Sequence, residues 1–262
     1  MADPIVTLTT DFGTQSPFVA AIKGVILSIN PLARVVDLSH EIPPFDLRHA
    51  AFFLAEALPY FPTGTIHVVV VDPEVGSERN ILYVSVAGQR LVVPDNGCWS
   101  LLAEGHAQPL RVIRVSEPRY FRPVVSATFH GRDIFAPVAA YLSLGMNPAD
   151  LGPVVTRWAE LRWPTPTRTA DSISGEVIFV DHFGNLISNI SGSVMANLPA
   201  DARVTASGVS TRRVRTYADC TPGELVSLVS SSGLLEVAVV QGNAAHKLGA
   251  RVGTPVHVEW HR

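Results

Sequence analysis

Four side chains that can carry a charge lie in turns and loops next to segments that should be buried. Asp11 and Asp72 each directly follow an apolar run. Arg79 ends the loop that Asp72 begins, and His130 lies in a glycine-containing turn before a helical segment. A guanidinium favours an anion and lowers the pKa of a nearby water, histidine can take or relay a proton, and a carboxylate can orient either group. Asp72, Arg79 and His130 are therefore candidates to activate water.

Each of these residues also has a purely structural interpretation. Asp-Phe-Gly and Asp-Pro are ordinary turn sequences, so Asp11 and Asp72 could simply cap their turns. Asp72 and Arg79 could form a structural ion pair beside a neutral histidine, and His130 could join the charged residues that follow it in a surface network. Two carboxylates at strand ends nevertheless favour one shared crevice, because ligands of open α/β sheets bind at that edge.

The first part of the chain alternates short β-rich runs with helix-like segments, which is typical of an α/β fold. Its continuous apolar runs indicate strands that are covered on both faces, as in parallel sheets. We predict strands over 5–10, 33–39 and 65–71, hairpin strands in ILYVSVA, QRLVVPD and RVIRVS, and helices over 16–30, 46–61 and 132–145. Asp46 is the predicted N-cap of the second helix. The sequence therefore predicts an α/β N-terminal domain with a mainly parallel sheet.

The last part of the chain has no helical periodicity. Its short β-rich runs are separated by Gly, Asn, Pro and Ser, which predicts a smaller all-β C-terminal domain, antiparallel and barrel-like. A stretch rich in proline and polar residues indicates a linker between the two parts. We place the catalytic α/β domain at 1–160, the linker at 161–172 and the β-barrel domain at 173–262.

The composition excludes several classes of protein. The chain has 262 residues, 47% hydrophobic and 16% charged, so it can bury a substantial core and is neither disordered nor fibrous. With 20 Lys and Arg against 23 Asp and Glu, and no dense basic cluster, a nucleic-acid partner is not expected. No leader segment or membrane span is evident, so we expect a cytoplasmic protein. The positions of Cys98 and Cys220 indicate neither a disulfide framework nor a metal site.

Six short motifs lie in order along nearly the whole chain. They are LTTDFG at 8–13, VDPEVGSER at 71–79, PDNG at 94–97, FHGRDIFAP at 129–137, DHFGNLISNI at 181–190 and SSSGLLEVAVVQGNAA at 230–245. Together they resemble the S-adenosylmethionine (SAM) hydroxide adenosyltransferase family. This family is related to the fluorinating and chlorinating enzymes that cleave the same molecule.

The resemblance implies that an activated water or hydroxide attacks the ribose C5′ carbon of SAM and gives adenosine and methionine. The related halogenases have a tyrosine where this chain has Asp72, and they lack the accompanying arginine and histidine. Asp72, Arg79 and His130 match the hydroxide-using triad, so water and not halide is the expected nucleophile. SAM would be a substrate and not a recycled cofactor, and neither a cofactor nor a metal is expected.

The resemblance also implies which residues contact the substrate. Asp11 would accept hydrogen bonds from the ribose hydroxyls, and Phe45 would lie near the ribose or the sulfonium. Asn185 would bind the adenine edge, Asp181 matches the residue that holds the methionine ammonium, and Ser231 lies in the matching methionine-binding turn. The structural alternative for the segment around Asp181 is a tight turn made by Phe-Gly-Asn.

The last motif departs from the halogenase pattern. Ser232 stands where the halogenases have an arginine that meets the methionine carboxylate, so that contact is in doubt for this chain. The adenine contact falls on the backbone around Val239 in one alignment and on Asn243 in another. Glu236 is a further polar candidate on the same strand.

The family also implies an assembly. Its members are homotrimers in which each active site lies between the first domain of one subunit and the second domain of its neighbour. A chain with few charges is consistent with large buried interfaces. Two other functions stay open from the residues alone: a SAM or nucleoside sensor without turnover, and a phosphatase with Asp11 or Asp72 as nucleophile. The phosphatase would need further acidic ligands for magnesium, which DFGT and DPEV do not obviously supply.

Overall fold

The computed structural model describes residues 3–104, 111–199 and 201–260. The chain folds into two compact units, Met1–Leu161 and Arg162–Arg262, each with its own hydrophobic core. Within the described residues, no helix has the length and apolar character needed to cross a membrane. The first unit is α/β and the second is mainly β, as the sequence predicts.

The first unit is built on a six-stranded sheet. Its strands are β1 (Ile5–Thr10), β2 (Arg34–Ser39), β3 (Ile66–Val70), β4 (Ile81–Val86), β5 (Gln89–Pro94) and β6 (Arg111–Arg114). In the order β2-β1-β3-β5-β4-β6, the first four strands pair in parallel, and β4 pairs antiparallel with β5 and β6. The prediction of a mainly parallel sheet is confirmed.

Both faces of this sheet are covered. The helices of the first unit are α1 (Phe18–Ile29), α2 (Leu47–Ala57), α3 (Ser100–Ala103) and α4 (Ala136–Ser143). Val68 and Val70 of β3 pack in the core that contains residues of α1 and α4. Val69 and Val71 pack in the core that contains residues of α2 and α3. Because successive strand residues face opposite sides, burial on both faces explains the unbroken valine run.

Helix α2 begins where the sequence predicts and ends earlier. Asp46 Oδ1 accepts a hydrogen bond from the His49 N–H at 2.9 Å, so the predicted N-cap is confirmed. The α-helix ends at Ala57, and the chain continues as a 3-10 turn, Leu58–Tyr60. Pro59 has no N–H to donate, which accounts for the change of helix type.

The segment predicted as one helix over 132–145 consists of two elements. A π-helical turn, Gly131–Phe135, precedes α4, and Gly145 follows it with φ +89°. The fully buried carboxylate of Asp133 accepts a hydrogen bond from the Ser126 N–H, and Pro137 near the start of α4 has no N–H. These two constraints fit a wider turn here, directly after His130.

The second unit is a closed barrel. Its strands are β7 (Thr167–Arg168), β8 (Ser172–Val180), β9 (Leu186–Ser191), β10 (Arg203–Ala206), β11 (Val209–Arg213), β12 (Leu225–Val229), β13 (Leu234–Val239) and β14 (Pro255–Glu259). Pairing of β14 with β8 closes seven strands into a ring, and the short β7 adds to its edge. All pairs are antiparallel except the parallel pair of β11 with β12. The predicted barrel-like domain is confirmed.

Two details of the second unit differ from the sequence prediction. The β-rich run RRVRTY at 212–217 predicts a strand, but strand β11 lies earlier, at Val209–Arg213, because Thr216 and Asp219 form a capping box and Tyr217 begins a 3-10 helix. The unit also contains two short helices, α5 (Gly192–Ala196) and α6 (Ala244–Leu248). Each has five residues, too few for a helical periodicity to be visible in the sequence.

Candidate active site

Asp72 and Arg79 form a buried ion pair just beyond the carboxyl end of β3. Arg79 Nε donates to both carboxylate oxygens of Asp72 at 2.9 Å, and Arg79 Nη2 donates to Oδ2. The two side chains are 3% and 5% exposed, respectively. Several charge-assisted hydrogen bonds fix the plane of the guanidinium against the carboxylate. The pair therefore holds its charges in one defined orientation.

His130 completes this cluster. Its Nδ1 lies 3.1 Å from Arg79 Nη2. Arginine can only donate, so Nδ1 is the acceptor, and a neutral imidazole in this contact carries its proton on Nε2. Burial lowers the pKa of His130 below its ordinary value of 6.5, and the charge of Arg79 lowers it further, against opposing effects of Asp72 and Asp133. The cluster therefore favours a neutral imidazole at neutral pH.

Two backbone features hold the loop that carries Asp72 and Arg79. Gly76 has φ +82°, and a Cβ there would lie 2.3 Å from the carbonyl oxygen of Ala127, so glycine is required. Asn96 Nδ2 donates to the Val71 carbonyl at 2.9 Å, which anchors the residue directly before Asp72. The loop is thus fixed both to the segment before His130 and to the turn that follows β5.

Asp11 lies beyond the carboxyl end of β1, the neighbour of β3 in the sheet. Thr10 pairs with Val70, so the two strands end at the same edge, as the sequence predicts for Asp11 and Asp72. Asp11 Oδ2 accepts a hydrogen bond from the Phe45 N–H at 3.0 Å. Phe45 has φ +67°, a conformation that bulky residues rarely adopt, and it is 67% exposed. Its loop is therefore held to Asp11 through the backbone while the side chain stays accessible.

The second unit contains a cavity of about 970 Å³. Five of the predicted substrate residues line it: Asp181, Asn185, Ser231, Glu236 and Val239. They come from the segment before β9 and from the β12–β13 turn and β13, which are adjacent in the barrel. The barrel thus brings these two separate motifs to a single cavity.

Two carboxylates face this cavity. Asp181 accepts from Asn185 twice, from its N–H at 2.8 Å and from its Nδ2 at 2.9 Å. Glu236 is 4% exposed and accepts from the Tyr217 hydroxyl. Burial raises the pKa of Glu236, the Tyr217 hydrogen bond opposes that effect, and the charge of Asp181 adds to it. Among the described residues that line the cavity there is no Lys, Arg or His, so it favours a cationic ligand.

The two candidates for the adenine contact have different surroundings. Val239 lines the cavity. Asn243 caps α6, since its Oδ1 accepts from the His246 N–H at 2.6 Å. Its side chain also fills the space beside Gly184, where a Cβ would lie 2.2 Å from Asn243 Cγ. Ser232, whose hydroxyl is 2.6 Å from that of Ser230, belongs to the turn between β12 and β13.

Sequence reasoning missed two residues of these sites. Tyr217 falls within the predicted strand at 212–217, although the Thr-Tyr-Ala-Asp pattern at 216–219 is a capping signal for a turn. Asn96 lies in the PDNG motif, and since Asn commonly organises turns through its side chain, that motif was the signal for it. Both act through hydrogen bonds to residues distant in sequence, which periodicity does not reveal.

The two cysteines lie in different units as free thiols. Burial raises the pKa of the Cys98 thiol, and the nearby charge of Asp72 acts in the same direction. Cys98 is therefore held in its protonated form, which is the less reactive one. Within the described ranges, no three His, Cys, Asp or Glu side chains are grouped as metal ligands.

Two family models match the chain, one in each unit. That of the SAM hydroxide adenosyltransferase N-terminal domain matches residues 6–152, and that of the C-terminal domain matches residues 175–257. The chain belongs to the SAM hydroxide adenosyltransferase family. The resemblance carried by the six motifs is thereby confirmed.

Individual members of this family and its relatives agree with the assignment. The (R)-S-adenosyl-L-methionine hydrolase of Salinispora tropica is 42% identical over 257 residues, which cover 97% of each chain. A fluorinase of an Actinoplanes species is 25% identical over 291 residues, covering 98% of this chain and 97% of its own. The crystal structure of an uncharacterized conserved protein from Thermotoga maritima has a TM-score of 0.89 and 34% identity, covering 97% of this chain and 99% of its own. The fold and both family domains are therefore shared over nearly the full chain.

Proposed function

We propose that this protein hydrolyses (R)-S-adenosyl-L-methionine to adenosine and L-methionine. The observation that carries the proposal is the buried cluster of Asp72, Arg79 and His130, in a chain 42% identical to a hydrolase of that name. Relatives with this name also include the Thermus thermophilus hydrolase, at 39% identity. Similarity to proteins named as hydrolases favours an enzyme over a sensor.

The proposed reaction is a single displacement. An oxygen from water bonds to the ribose C5′ carbon while the C5′–S bond breaks, and its electron pair stays on sulfur as the neutral thioether of methionine. The sulfonium is a good leaving group, so the protein needs chiefly to aim the nucleophile and favour its hydroxide form. The water proton is lost to solvent, because in this cluster His130 Nδ1 already accepts from Arg79.

Each member of the cluster has a separate part in this proposal. The Arg79 guanidinium favours hydroxide over water at the attacking position. His130 donates from Nε2 to that oxygen and so orients it behind C5′. Asp72 fixes Arg79 with both of its oxygens, which also makes it a poor candidate for the covalent nucleophile of a phosphatase.

Substrate contacts complete the proposal. Asp11 accepts hydrogen bonds from the ribose hydroxyls, and the exposed ring of Phe45 packs near the ribose or the sulfonium. The charge of the second-unit cavity supports binding of the methionine ammonium by Asp181, in the cavity that Ser231 and Glu236 also line. Adenine is read by Asn185 and by the backbone at Val239. The alternative contact, Asn243, is engaged in capping α6.

The test is a product assay in water enriched in oxygen-18. We expect adenosine that carries the label on its 5′-oxygen, together with one equivalent of methionine, from the wild-type protein. Unlabelled adenosine would show that the oxygen does not come from water, and binding of SAM without any product would favour a sensor.

We also propose a homotrimer in which the residues of the two units that act on one substrate come from neighbouring subunits. The proposal is supported by the family and by the division of the candidate residues between two units. Mixing Arg79→Ala and Asp181→Asn variants under exchanging conditions should restore part of the activity, because some mixed sites contain neither change. No recovery, or a monomeric mass in sedimentation, would contradict this assembly.

A further inference from the structure

The first unit has a cavity of its own, of about 470 Å³, which is not lined by Asp72, Arg79 or His130. Its walls are one side of α1, the 121–123 segment and the first turns after His130. The α1 wall contains Ala21, Gly24 and Val25, and the opposite wall contains Pro137 and Tyr141. The cavity is therefore largely apolar on two sides.

The charge of this cavity is positive. Arg122 and Arg132 both line it and both bind a single carboxylate, that of Asp133. Asp133 is fully buried behind the two arginines, and no Asp or Glu is among the described residues that line the cavity. Two guanidinium groups against one carboxylate leave one positive charge, which an anionic ligand would neutralise.

Asp133 cannot take up that remaining charge. Its Oδ1 accepts from Arg122 Nη1 at 3.1 Å and from Arg132 Nε at 2.7 Å. Its Oδ2 accepts from the Ser126 N–H and from Arg132 Nη2, both at 2.8 Å. Burial alone would raise the pKa of Asp133, but these hydrogen bonds outweigh it and lower the pKa, so the carboxylate stays ionised.

Arg122 is the group with donors to spare. Its contact with Asp133 uses only Nη1, and its side chain is 44% exposed. Its backbone is fixed, because the Arg122 N–H donates to the Asp133 carbonyl at 2.9 Å. A guanidinium has a planar fork of donors that matches carboxylate and phosphate oxygens. A ligand oxyanion can therefore bind Arg122 without displacing Asp133.

Gly24 keeps the apolar side of the cavity open. It lies within α1, where glycine lowers helix stability relative to alanine. An added Cβ would meet nothing within 4 Å, so close packing does not require glycine here. We propose that this cavity binds a small organic oxyanion, with the anionic group on Arg122 and Arg132 and the apolar body against α1.

The experiment is calorimetric titration of the full-length protein with phenyl phosphate, inorganic phosphate and phenol. We expect phenyl phosphate to bind more tightly than either fragment, since it engages both the charge and the apolar wall. Arg122→Gln should lower its affinity about tenfold or more, and Arg122→Lys should lose less, because a charge-assisted hydrogen bond is retained. Saturating adenosine should leave the titration unchanged.

Gly24 supplies the matched test of the apolar wall. Gly24→Leu should abolish phenyl phosphate binding by filling the cavity, and Gly24→Ala should retain it. Circular dichroism of both variants verifies that α1 still forms. The proposal would be overturned if the wild type did not bind phenyl phosphate at millimolar concentration. It would also be overturned if neither Arg122→Gln nor Gly24→Leu changed the affinity for phenyl phosphate, or if adenosine abolished its binding. A change of oligomeric mass in Gly24→Leu would instead assign the groove to a second copy of the chain, and would also overturn it.

Discussion

The candidate sites of the two units handle charge in opposite ways. In the first unit, the carboxylate of Asp72 is neutralised within the protein by Arg79, and both side chains are nearly fully buried. In the second unit, Asp181 and Glu236 face a large cavity lined by no described Lys, Arg or His. A site whose charges are already paired is organised before the substrate arrives, whereas acids with no cation among the described lining residues favour a ligand that carries one.

This difference in charge suggests that the triad serves the chemical step and that the second-unit cavity serves substrate binding. SAM carries two cationic centres, the sulfonium and the ammonium, and the second-unit cavity has the charge to attract such a ligand. The first unit instead has a fixed cation and a neutral histidine, which suit a hydroxide nucleophile. Changes in the triad of the first unit should therefore affect the rate, and changes in the cavity of the second unit should affect affinity.

The largest expected effect is that of Arg79→Ala. We expect kcat for adenosine formation to fall by about 10²–10⁴-fold with little change in KM, because the group that favours hydroxide is lost. The variant also leaves Asp72 buried without its cation, so its free energy of unfolding should fall by about 3–5 kcal/mol. Arg119→Ala, at an exposed arginine of the same unit, is the control and should keep wild-type kcat. Equal losses in kcat and in affinity would remove the distinction between the two sites.

Acid stability gives the next largest effect. His67 in β3 is fully buried between Thr7 and Gln89, and burial lowers its pKa from 6.5 to about 4. Between those pH values the unfolded state binds more protons, so about 3 kcal/mol of stability should be lost as the pH falls from 6.5 to 4. Glu236 acts oppositely, because its raised pKa makes acidification towards 4.5 favour the folded state.

Denaturant unfolding at pH 7.5 and pH 4 checks this contrast. His67→Gln should reduce the difference in unfolding free energy between the two pH values, and His257→Gln in the second unit should leave it unchanged. A difference of the same size in the wild type and in His67→Gln would mean that other groups cause the acid sensitivity.

Asp181→Asn should have a smaller effect, and on affinity. Loss of a charge-assisted hydrogen bond to the ammonium should raise KM by about 10–100-fold and leave kcat within about threefold. Asp201→Asn, at an exposed aspartate of the same unit, is the control. A fall in kcat comparable to that of Arg79→Ala would place Asp181 in the chemical step and break the comparison.

Tyr217→Phe should give the smallest effect. It removes the hydroxyl that donates to Glu236, a bond worth about 1 kcal/mol, so KM should rise by about two- to fivefold at constant kcat. The pKa of Glu236 should also rise, since that hydrogen bond lowers it in the wild type. As the pH is lowered, KM should therefore begin to rise at a higher pH in Tyr217→Phe than in the wild type. An unchanged pH profile of KM would show that the pair does not influence ligand binding.

The triad of Asp72, Arg79 and His130 shows which features of the site can be predicted from the sequence. The positions of Asp72 after a buried strand and of His130 before a helix, with the family resemblance that adds Arg79, predict its members, and the structure places all three in one hydrogen-bonded cluster. The sequence did not reveal which nitrogen of His130 meets Arg79, although that contact decides where the proton of the neutral imidazole lies. Nor did it reveal that the segment after His130 begins as a π turn, because that turn accompanies a buried carboxylate whose bond to the Ser126 N–H exists only in the folded chain.

The sequence by itself determined the α/β and β architecture, the family and the residues worth testing, because hydrophobic periodicity, turn residues and ordered motifs are local properties of the chain. Only the tertiary structure decided that Tyr217 meets Glu236, that Val239 lines the cavity while Asn243 caps a helix, and that Arg122 and Arg132 share one buried acid. These outcomes depend on which atoms approach one another once the separate elements have packed together. The strength of a charge or hydrogen bond follows from burial and partners, which exist only once the chain is folded.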